Sequence, residues 1–567
     1  MSNVFDTIRV KKQPRSNFDL SHEAKLSTEL GRLTPILCVE VVPGDSFRLQ
    51  TEIFCRLAPM LAPIMHRVNV YTHFFYVPKR LLWKHWERFI STPHPNESQR
   101  QKIQYPRIDI SNMSEQEQNT LFATGSLADY LGFPVRDKLN PGTVYRDPVF
   151  IDLLPFKAYQ LIYNEYYRDQ NLTPAVQIGV DQTGDVNPNT VLRDDWEDWN
   201  NPVKDLLKLR NRCWEKDYFT TALKDAQKGE DVFLKVSGQG NVVFDDTNMG
   251  TGTTAPQFLQ KGQGPNDSGA SGTISQVGHA GGIQAGGPNQ PYVGYDPKGT
   301  LKVDMKDVNL QSIPELRRMF RLQEWLELIN RTGSRYKEML LAFFGVKTSD
   351  KRLDRPEYLG GGRTPVVISE VLQQADGTAD MTPLGDMAGH GISSGVSHRF
   401  KAYFEEHGYV IGILSITPRS AYQQGMPRMF SKFDPLDYYW PQFARIGDQE
   451  VKNQEIYFDP TDNLNDGTFG YAPRYSEYKY IPSRVNGDFR NTLDYWHLGR
   501  IFASRPQLNG DFVTIGDEQL GEGESGNNKG LNRIFAVTDQ KYDHFWLQVY
   551  HNLQAKRPMP YYGDPSF

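Results

Sequence analysis

Apolar and polar side chains alternate along three segments of residues 34–78, and a chain buries segments of this kind as strands. In the middle segment only Phe54 breaks the alternation. Its apolar face carries Phe47, Leu49, Thr51, Ile53, Cys55 and Leu57, and its polar face carries Ser46, Arg48, Gln50, Glu52 and Arg56. Pro43-Gly44-Asp45 separates the first two segments and predicts a hairpin between them. A sheet built from these segments needs a second layer over its apolar face.

Strand patterns occur at both ends of the chain. Residues 407–417 are apolar enough for a fully buried strand. In residues 545–553 the side chains alternate between two faces, with Phe545, Leu547, Val549, His551 and Leu553 on one and Trp546, Gln548, Tyr550 and Asn552 on the other. Helical patterns lie between them, in residues 78–90, 154–172 and, as a pair, 312–345. One β-sandwich closed by its first and last strands fits this order better than several domains in series. We therefore predict an all-β fold with long helical and loop insertions.

The composition narrows the class of protein. The chain is 38% hydrophobic and holds 48 glycines and 36 prolines, which favours many short elements over a bundle of long helices. Its net charge is −5, so any contact with nucleic acid requires a local basic patch. Cys38, Cys55 and Cys213 form no CxxC pair, and so sparse a set favours a reducing compartment. The first residues carry no apolar signal core.

A Gly-rich stretch at residues 237–300 interrupts the chain. Its other residues are mostly Ser, Thr, Asn, Gln and Pro, a composition that cannot bury a core of its own. Lys261 and Lys298 are its only lysine or arginine residues, so it is poorly suited to holding DNA. No phosphate-binding glycine motif is present in the expected strand-turn-helix context. We predict a long surface excursion of the kind that often binds a partner.

The sequence contains no recognisable active site. It lacks HExxH, zinc-ligand spacing and the GxSxG elbow, so we predict neither an enzyme nor a bound cofactor or metal. Gly360-Gly361-Gly362-Arg363 predicts a tight turn rather than an anion loop, because no helical pattern follows it. Residues 194–199, DDWEDW, predict a polar loop anchored by tryptophans, although carboxylates between tryptophans also occur in sugar-binding sites.

Several long blocks of the chain resemble the major capsid proteins of the Microviridae, the small single-stranded DNA phages. The gokushovirus branch is the closer match. The blocks, in chain order, are FDLSHEAKLSTELGRLTPILCVEVVPGDSF, LAPIMHRVNVYTHFFYVPKRLLW, LPFKAYQLIYNEYYRDQNL, PEYLGGGRTPVVISEVLQ, DPLDYYWPQFARIGDQEV and FGYAPRYSEYKYIPSRVNGDFR. They extend from near residue 5 towards the C-terminus, and the resemblance is weakest in residues 237–300.

The resemblance implies a single viral jelly-roll sandwich that forms a T=1 icosahedral shell around circular single-stranded DNA. It implies residues 1–33 as a basic arm and lead-in, and residues 34–567 as one capsid domain with insertions. Expected partners are copies of the same chain, the genome, and phage scaffolding, DNA-binding and pilot proteins. Assembly is expected in the bacterial cytoplasm, and the protein is expected in the virion without membrane insertion.

The resemblance also gives the Gly-rich stretch an expected role. In gokushoviruses a long insertion projects from the shell at the three-fold axes and is associated with the host surface. We therefore expect residues 237–300 to face a receptor. Their aromatic anchors are Phe258, Tyr292 and Tyr295.

The genome requires cations on the inner wall of such a shell, because single strands are held by basic side chains and by stacking aromatics. The expected contacts are Arg9, Lys11, Lys12 and Arg15 of the arm, followed by Lys556 and Arg557. The alternative is that these residues make subunit contacts or remain solvated.

The residues alone are also compatible with two other classes of protein. A carbohydrate-binding β-sandwich would use the aromatic surplus and the DDWEDW segment, and it would be a monomer or small oligomer. A secreted adhesin would need an export signal, which the first residues do not provide.

Overall fold

The structure is a computed structural model. The residues that it describes are 14–91, 103–137, 142, 145, 147–194, 197–229, 232, 241–244, 259–260, 293–294, 301–304, 313–333, 335–372, 387–461, 463–516, 530–537, 539 and 542–562. The chain forms two compact units. One unit comprises Met1–Gln227 with Ile329–Phe567, and the other comprises Lys228–Leu328.

The described residues form many short elements. The strands are β1 (Ser16–Asp19), β2 (His22–Thr28), β3 (Thr34–Val41), β4 (Ser46–Leu57), β5 (Val68–Pro78), β6 (Arg107–Asp109), β7 (Phe150–Asp152), β8 (Asp185–Val186), β9 (Val191–Asp194), β10 (Glu197–Pro202), β11 (Asn241–Phe244), β12 (Leu259–Gln260), β13 (Val293–Gly294), β14 (Leu301–Asp304), β15 (Glu357–Pro365), β16 (Val367–Leu372), β17 (Met387–Tyr403), β18 (Gly408–Pro418), β19 (Asp448–Lys452), β20 (Thr468–Pro473) and β21 (Phe545–Arg557). The α-helices are α1 (Lys79–Leu82), α2 (Trp86–Ile90), α3 (Glu115–Leu121), α4 (Leu127–Tyr130), α5 (Leu154–Ile162), α6 (Ile313–Thr332), α7 (Tyr336–Phe344), α8 (Asn453–Ile456) and α9 (Gly510–Val513). A π-helical turn, Tyr163–Tyr167, continues α5.

Two antiparallel sheets form a β-sandwich in the larger unit. The six-stranded sheet has the order β1-β21-β4-β17-β16, and β2 also pairs with β21. The four-stranded sheet has the order β15-β5-β18-β3. The first and last strands therefore lie side by side, because β1 and β2 occupy successive parts of one edge of β21. The predicted β-sandwich is confirmed.

The core between the two sheets is formed by the apolar side chains of the alternating segments. On β4 the six predicted apolar positions are all buried, whereas Phe54 is 37% exposed. Aromatic rings join the sheets, since the ring centroids of Phe74 and Phe400 lie 5.5 Å apart and those of Tyr76 and Phe404, the residue after β17, lie 4.8 Å apart. Each fully buried side chain of this size contributes about 1.5–3 kcal/mol.

A second core covers the other side of the four-stranded sheet. Every residue of β18 is buried, as predicted for residues 407–417, because this strand lies between the two cores. Helix α5, which lies within the helical pattern predicted for residues 154–172, packs there with Phe156, Tyr159 and Ile162. The hydroxyl of Tyr159 donates to the carbonyl oxygen of Leu33 at 2.8 Å.

The predicted hairpin at residues 43–45 is wrong. Strand β3 pairs with β18, and β4 pairs with β17 and β21, so the turn carries the chain from one sheet to the other. Gly44 has a φ of +94°, and Asp45 accepts a hydrogen bond from the backbone N–H of Val42 at 3.0 Å. The same turn residues serve a hairpin or a crossing, and only the packing of the sheets distinguishes the two.

The predicted tight turn at Gly360-Gly361-Gly362-Arg363 is also wrong, because these residues lie within β15. Glycine is required there by close approach rather than by a turn. A Cβ on Gly361 would collide with the backbone oxygen of Thr72, and a Cβ on Gly362 would collide with the ring of His398.

The helices and the DDWEDW segment differ from prediction in detail. The helical pattern at residues 78–90 forms two short helices, α1 and α2, rather than one. The pair within residues 312–345 is confirmed as α6 and α7, and Gly333 and Gly345 have φ values of +91° and +67° after them. The DDWEDW segment contributes to the antiparallel strands β9 and β10 instead of a loop, with residues 195 and 196 outside the described part.

The smaller unit contains the strand pairs β11–β14 and β12–β13 and the first part of α6. Most of the Gly-rich stretch, including Phe258, Tyr292 and Tyr295, lies outside the described residues.

Candidate nucleic-acid interface

One face of the six-stranded sheet is directed to solvent, and we call it the polar face. Buried residues alternate along β4 and β21 with residues that are exposed or half-buried, and β17 pairs with β4 in the same sheet. Its central members are Arg48, Gln50, Glu52, Phe54, Arg56, Arg399, Lys401, Tyr403, Trp546, Gln548, Tyr550, Asn552, Gln554 and Lys556. The positions of these side chains are fixed by strand register, because opposed residues in antiparallel strands lie on the same face.

A cluster of four cations occupies one end of this face, and we call it the basic cluster. Arg48 is opposed by Lys401 of β17, and Lys556 of β21 lies in the neighbouring row opposite Ser46. Opposed Cβ atoms in such ladders are about 4.5–5.5 Å apart. Arg15 completes the cluster, because its guanidinium lies 5.3 Å from the ring centroid of Tyr403, which also opposes Ser46.

Arg15 is held in position by the turn that joins the two sheets. Its Nη2 donates to the carbonyl oxygen of Gly44 at 2.6 Å. One carboxylate, Asp19, lies beside the cluster and accepts a hydrogen bond from Gln554 at 2.9 Å. Hydrogen bonds from the side chain and backbone of Ser21 lower the pKa of Asp19, so it is ionised at neutral pH. The four cations of the basic cluster therefore exceed the neighbouring negative charge.

Aromatic side chains occupy the other end of the polar face. The guanidinium of Arg56 lies 5.3 Å from the ring centroid of Phe54, and Trp546 opposes Arg56 across the ladder. Trp546 is 49% exposed, and its indole N–H donates to the carbonyl oxygen of Asp543 at 3.1 Å. Exposed rings next to cations are the arrangement on which unpaired bases stack.

Of the six residues predicted to contact nucleic acid, three lie in the described part of the chain. Arg15 and Lys556 are brought together in the basic cluster. Arg9, Lys11 and Lys12 lie outside the described residues.

Arg557 forms an ion pair and a hydrogen bond within the fold. Its Nη2 lies 3.0 Å from the carboxylate of the fully buried Asp45 and donates to the carbonyl oxygen of Glu40 at 2.6 Å. The guanidinium of Arg557 therefore connects the last strand to the turn between β3 and β4.

Sequence reasoning missed four residues of this face: Arg48, Arg56, Lys401 and Trp546. The signal was present in the alternation of β4 and β21, which placed Arg48, Arg56 and Trp546 opposite the apolar positions. The pairing of β4 with β21, which are separated by almost the whole chain, could not be read from the pattern.

Two buried histidines lie beneath the polar face. His551 donates from Nε2 to the carbonyl oxygen of Ile36 and accepts at Nδ1 from the hydroxyl of Thr51, both at 2.9 Å. Burial lowers the pKa of His551 to about 4. His398 bridges the hydroxyl groups of Thr72 and Thr364, and burial lowers its pKa as well. Both rings are neutral at neutral pH, so they add no charge under the face.

Cys38 and Cys55 lie on β3 and β4, one in each sheet of the sandwich. Burial raises the pKa of the Cys38 and Cys55 thiols to about 12, which leaves them protonated and unreactive. Within the described part of the chain, no group of His, Cys, Asp or Glu is arranged to hold a metal ion. A search of the same residues finds no helix that is both long enough and apolar enough to cross a membrane.

The fold and this surface define a structural β-sandwich protein. Comparison with known proteins identifies the class, because the chain belongs to the phage capsid protein (F protein) family, matched over residues 6–567. It is 35% identical to capsid protein VP1 of Chlamydia phage 1 over 617 aligned positions, covering 100% of this chain and 98% of the relative. It is 34% identical to capsid protein VP1 of Bdellovibrio phage phiMH2K, covering 97% and 95%. With capsid protein VP1 of Spiroplasma virus 4 the identity is 28%, covering 98% and 95%. The resemblance to Microviridae capsid proteins is confirmed.

Proposed function

We propose that this chain is a major capsid protein whose copies associate into a T=1 icosahedral shell around a circular single-stranded DNA genome. The observation that carries the proposal is the capsid-family match over residues 6–567. In this proposal residues 1–33 are an arm and lead-in, and residues 34–567 are one jelly-roll capsid domain with insertions. Scaffolding, DNA-binding and pilot proteins assist assembly in the host cytoplasm.

The shell proposal is tested by electron microscopy and sedimentation of the expressed chain, alone and with its phage scaffolding protein. Closed isometric particles or pentameric precursors are the expected result. A discrete monomer under both conditions would contradict a shell protein and would favour the carbohydrate-binding alternative, which a glycan-binding screen would then examine.

The polar face is proposed to contact the genome. The basic cluster supplies cations that phosphates attract, and Phe54 and Trp546 supply rings on which bases stack. Within the described residues, no salt bridge engages Arg48, Lys401 or Lys556, so their charges are available to phosphates. Arg15, which belongs to the proposed arm and lead-in, contributes a further cation to the same cluster.

The genome contact is tested with the variant Arg15→Gln, Arg48→Gln, Lys401→Gln and Lys556→Gln. Binding of an oligothymidylate is measured as a function of salt. Each phosphate contact on a single strand contributes about −0.7 to the slope of log affinity against log salt, so the slope should fall in magnitude by about 3.

The matched control removes four exposed cations elsewhere in the same unit, in the variant Arg67→Gln, Lys224→Gln, Lys347→Gln and Arg352→Gln. It changes the net charge by the same amount as the first variant. An equal fall of the salt slope in both variants would therefore mean that only the overall charge determines DNA binding. An unchanged slope in the first variant would contradict a genome contact at the polar face.

The Gly-rich stretch at residues 237–300 is proposed to project from the shell and contact the host surface. Support comes from its composition, which favours a long excursion, and from the gokushovirus resemblance. Deleting residues 245–292 should leave particle assembly intact and reduce attachment to host cells. Normal attachment by the deletion particles would contradict a receptor role for this stretch and for Phe258, Tyr292 and Tyr295.

A further inference from the structure

Large apolar side chains are exposed together on an irregular part of the larger unit, and we call this region the aromatic loop surface. Its members are Phe430, Phe433, Leu436, Tyr439, Trp440 and Ile481, and each side chain is between 46% and 89% exposed. Five of the six lie within eleven consecutive residues. That segment runs through the 3₁₀ turns Arg428–Ser431 and Pro435–Asp437, and Trp440 directly precedes a third, Pro441–Phe443.

Hydrogen bonds fix the backbone of this segment. Asp434 accepts from the N–H of Leu436 at 2.8 Å, and Asp437 accepts from the N–H groups of Phe433 and Asp434 at 3.0 and 2.9 Å. The indole N–H of Trp440 donates to the carbonyl oxygen of Pro435 at 2.8 Å. The exposed rings are therefore preorganised, which reduces the entropic cost of docking against a partner.

The cations of the segment, Arg428 and Lys432, are directed inward. Lys432 is buried, with its ammonium 3.1 Å from the carboxylate of Glu477 and 4.0 Å from the ring centroid of Tyr478. The guanidinium of Arg428 lies 3.3 Å from the carboxylate of Glu455. The two exposed charges, Asp434 and Asp437, are acidic, which disfavours a phosphate-bearing partner. The chemistry of the surface fits an apolar protein partner.

A cavity of about 540 Å³ opens beside the exposed rings. Phe430, Tyr438, Tyr478 and Ile481 are among its lining residues. Phe433, the most exposed ring at 89%, is not part of the lining and is five residues from Tyr438. The same surface thus offers a protruding ring and a recess lined by apolar side chains together with charged ones such as Arg484 and Arg490. A protrusion and a recess are what a surface needs to be complementary to an identical copy.

The exposed apolar area is of the size that a stable interface requires. A half-exposed aromatic side chain presents about 100 Å², so the six members and the cavity lining together present on the order of 800 Å². That is about one partner's share of a standard protein–protein interface. Contiguous exposed patches above a few hundred Å² are unusual in monomers.

We propose that the aromatic loop surface docks a second copy of this chain. The proposal rests on the capsid function, because a shell built from one kind of chain must form its contacts from that chain's own surface. Phe433 and Trp440 lie at the centre of the contact, where truncation of one aromatic residue weakens association most.

The first test is the double variant Phe433→Ser and Trp440→Ser, compared with unaltered chain under conditions in which the latter forms particles. Sedimentation is expected to show at least about a tenfold loss of assembled material. Circular dichroism should show a melting temperature lowered by no more than about 2 °C, because Phe433 is exposed and Trp440 loses one hydrogen bond, to Pro435. The matched control is Tyr336→Ser and Tyr562→Ser, which removes two rings exposed by 60% and 72% outside this surface, and it should assemble normally.

A second test needs no substitution. Radical footprinting compares Phe433 and Trp440 in dissociated chain and in particles, and both should become as protected in particles as the buried Phe74. Normal assembly of the double variant would overturn this contact while leaving the capsid function intact. Rings that stay accessible in particles of the unaltered chain would do the same. Failure of the unaltered chain to form particles would instead contradict the capsid function itself.

Discussion

The polar face and the aromatic loop surface are both exposed, yet they are built in opposite ways. On the polar face the strand ladders satisfy the backbone, so Arg48, Lys401 and Lys556 remain directed to solvent. On the aromatic loop surface the backbone is irregular, and Asp434 and Asp437 are used to satisfy its N–H groups. Regular backbone thus leaves polar side chains available to a ligand, whereas irregular backbone uses them internally and leaves apolar side chains outside.

The largest effect is expected where a cation next to the polar face is structural. Arg557→Met removes the partner of the fully buried Asp45 and should lower the free energy of unfolding by about 3 kcal/mol. Lys556→Met, one residue earlier and exposed, should change it by less than about 0.5 kcal/mol. Chemical denaturation measures both. Equal effects from the two variants would remove the distinction between an anchoring and a ligand-facing cation.

A second contrast compares one lysine from each surface. Lys432→Met leaves Glu477 without its closest cation and should cost about 2 kcal/mol of stability. Lys401→Met should leave the melting temperature unchanged and weaken binding of single-stranded DNA. Thermal unfolding and oligothymidylate binding are measured on both variants. A stable Lys432→Met protein would show that the inward charges do not support the aromatic loop surface.

The aromatic end of the polar face should contribute to DNA binding and little to stability. Trp546→Ala should weaken oligothymidylate binding about tenfold, because stacking on one ring contributes about 1–3 kcal/mol. Tyr336→Ala removes a similarly exposed ring from α7 and serves as the control. Equal affinity of the two variants would limit the genome contact to the cations.

The smallest expected effect is on how the stability of the fold depends on pH. His551 titrates at about pH 4 in the folded chain and near its usual value of about 6.5 when unfolded. Between these values the unfolded chain binds more protons, so stability falls as the pH is lowered. His551→Gln should reduce that fall by about 1 kcal/mol between about pH 7 and about pH 5.5. Parallel curves for variant and unaltered chain would mean that the buried ring is not neutral in the folded state.

Much of the sandwich could be predicted from the sequence, because β4, β18 and β21 each carry a pattern that depends only on their own residues. Alternation on β4 and β21 fixes which side chains are buried, and the unbroken apolar run of β18 signals burial on both faces. The helix pair α6 and α7 was readable for the same reason, since glycines that favour a positive φ end both helices. Local side-chain chemistry suffices for such elements.

The candidate site could be predicted only in part from the sequence. Arg15 and Lys556 were expected to face nucleic acid, but their approach depends on β4 lying between β17 and β21. The basic cluster joins residues from the start, the middle and the end of the chain, and no local pattern reports such pairing. The ion pair of Arg557 could not be predicted for a related reason, because its partner Asp45 lies in a turn whose burial depends on both sheets.

The sequence by itself determined the strands β4, β18 and β21, their buried faces and the family of this chain, because periodicity and long shared blocks are properties of the residues alone. Tertiary structure decided which strands are neighbours, that the turn at Gly44 crosses between sheets, and that Gly361 and Gly362 lie in a strand. It also decided that the aromatic segment after Pro427 is exposed rather than buried. These outcomes depend on non-local contacts, whose register and burial are settled only when both sheets pack together.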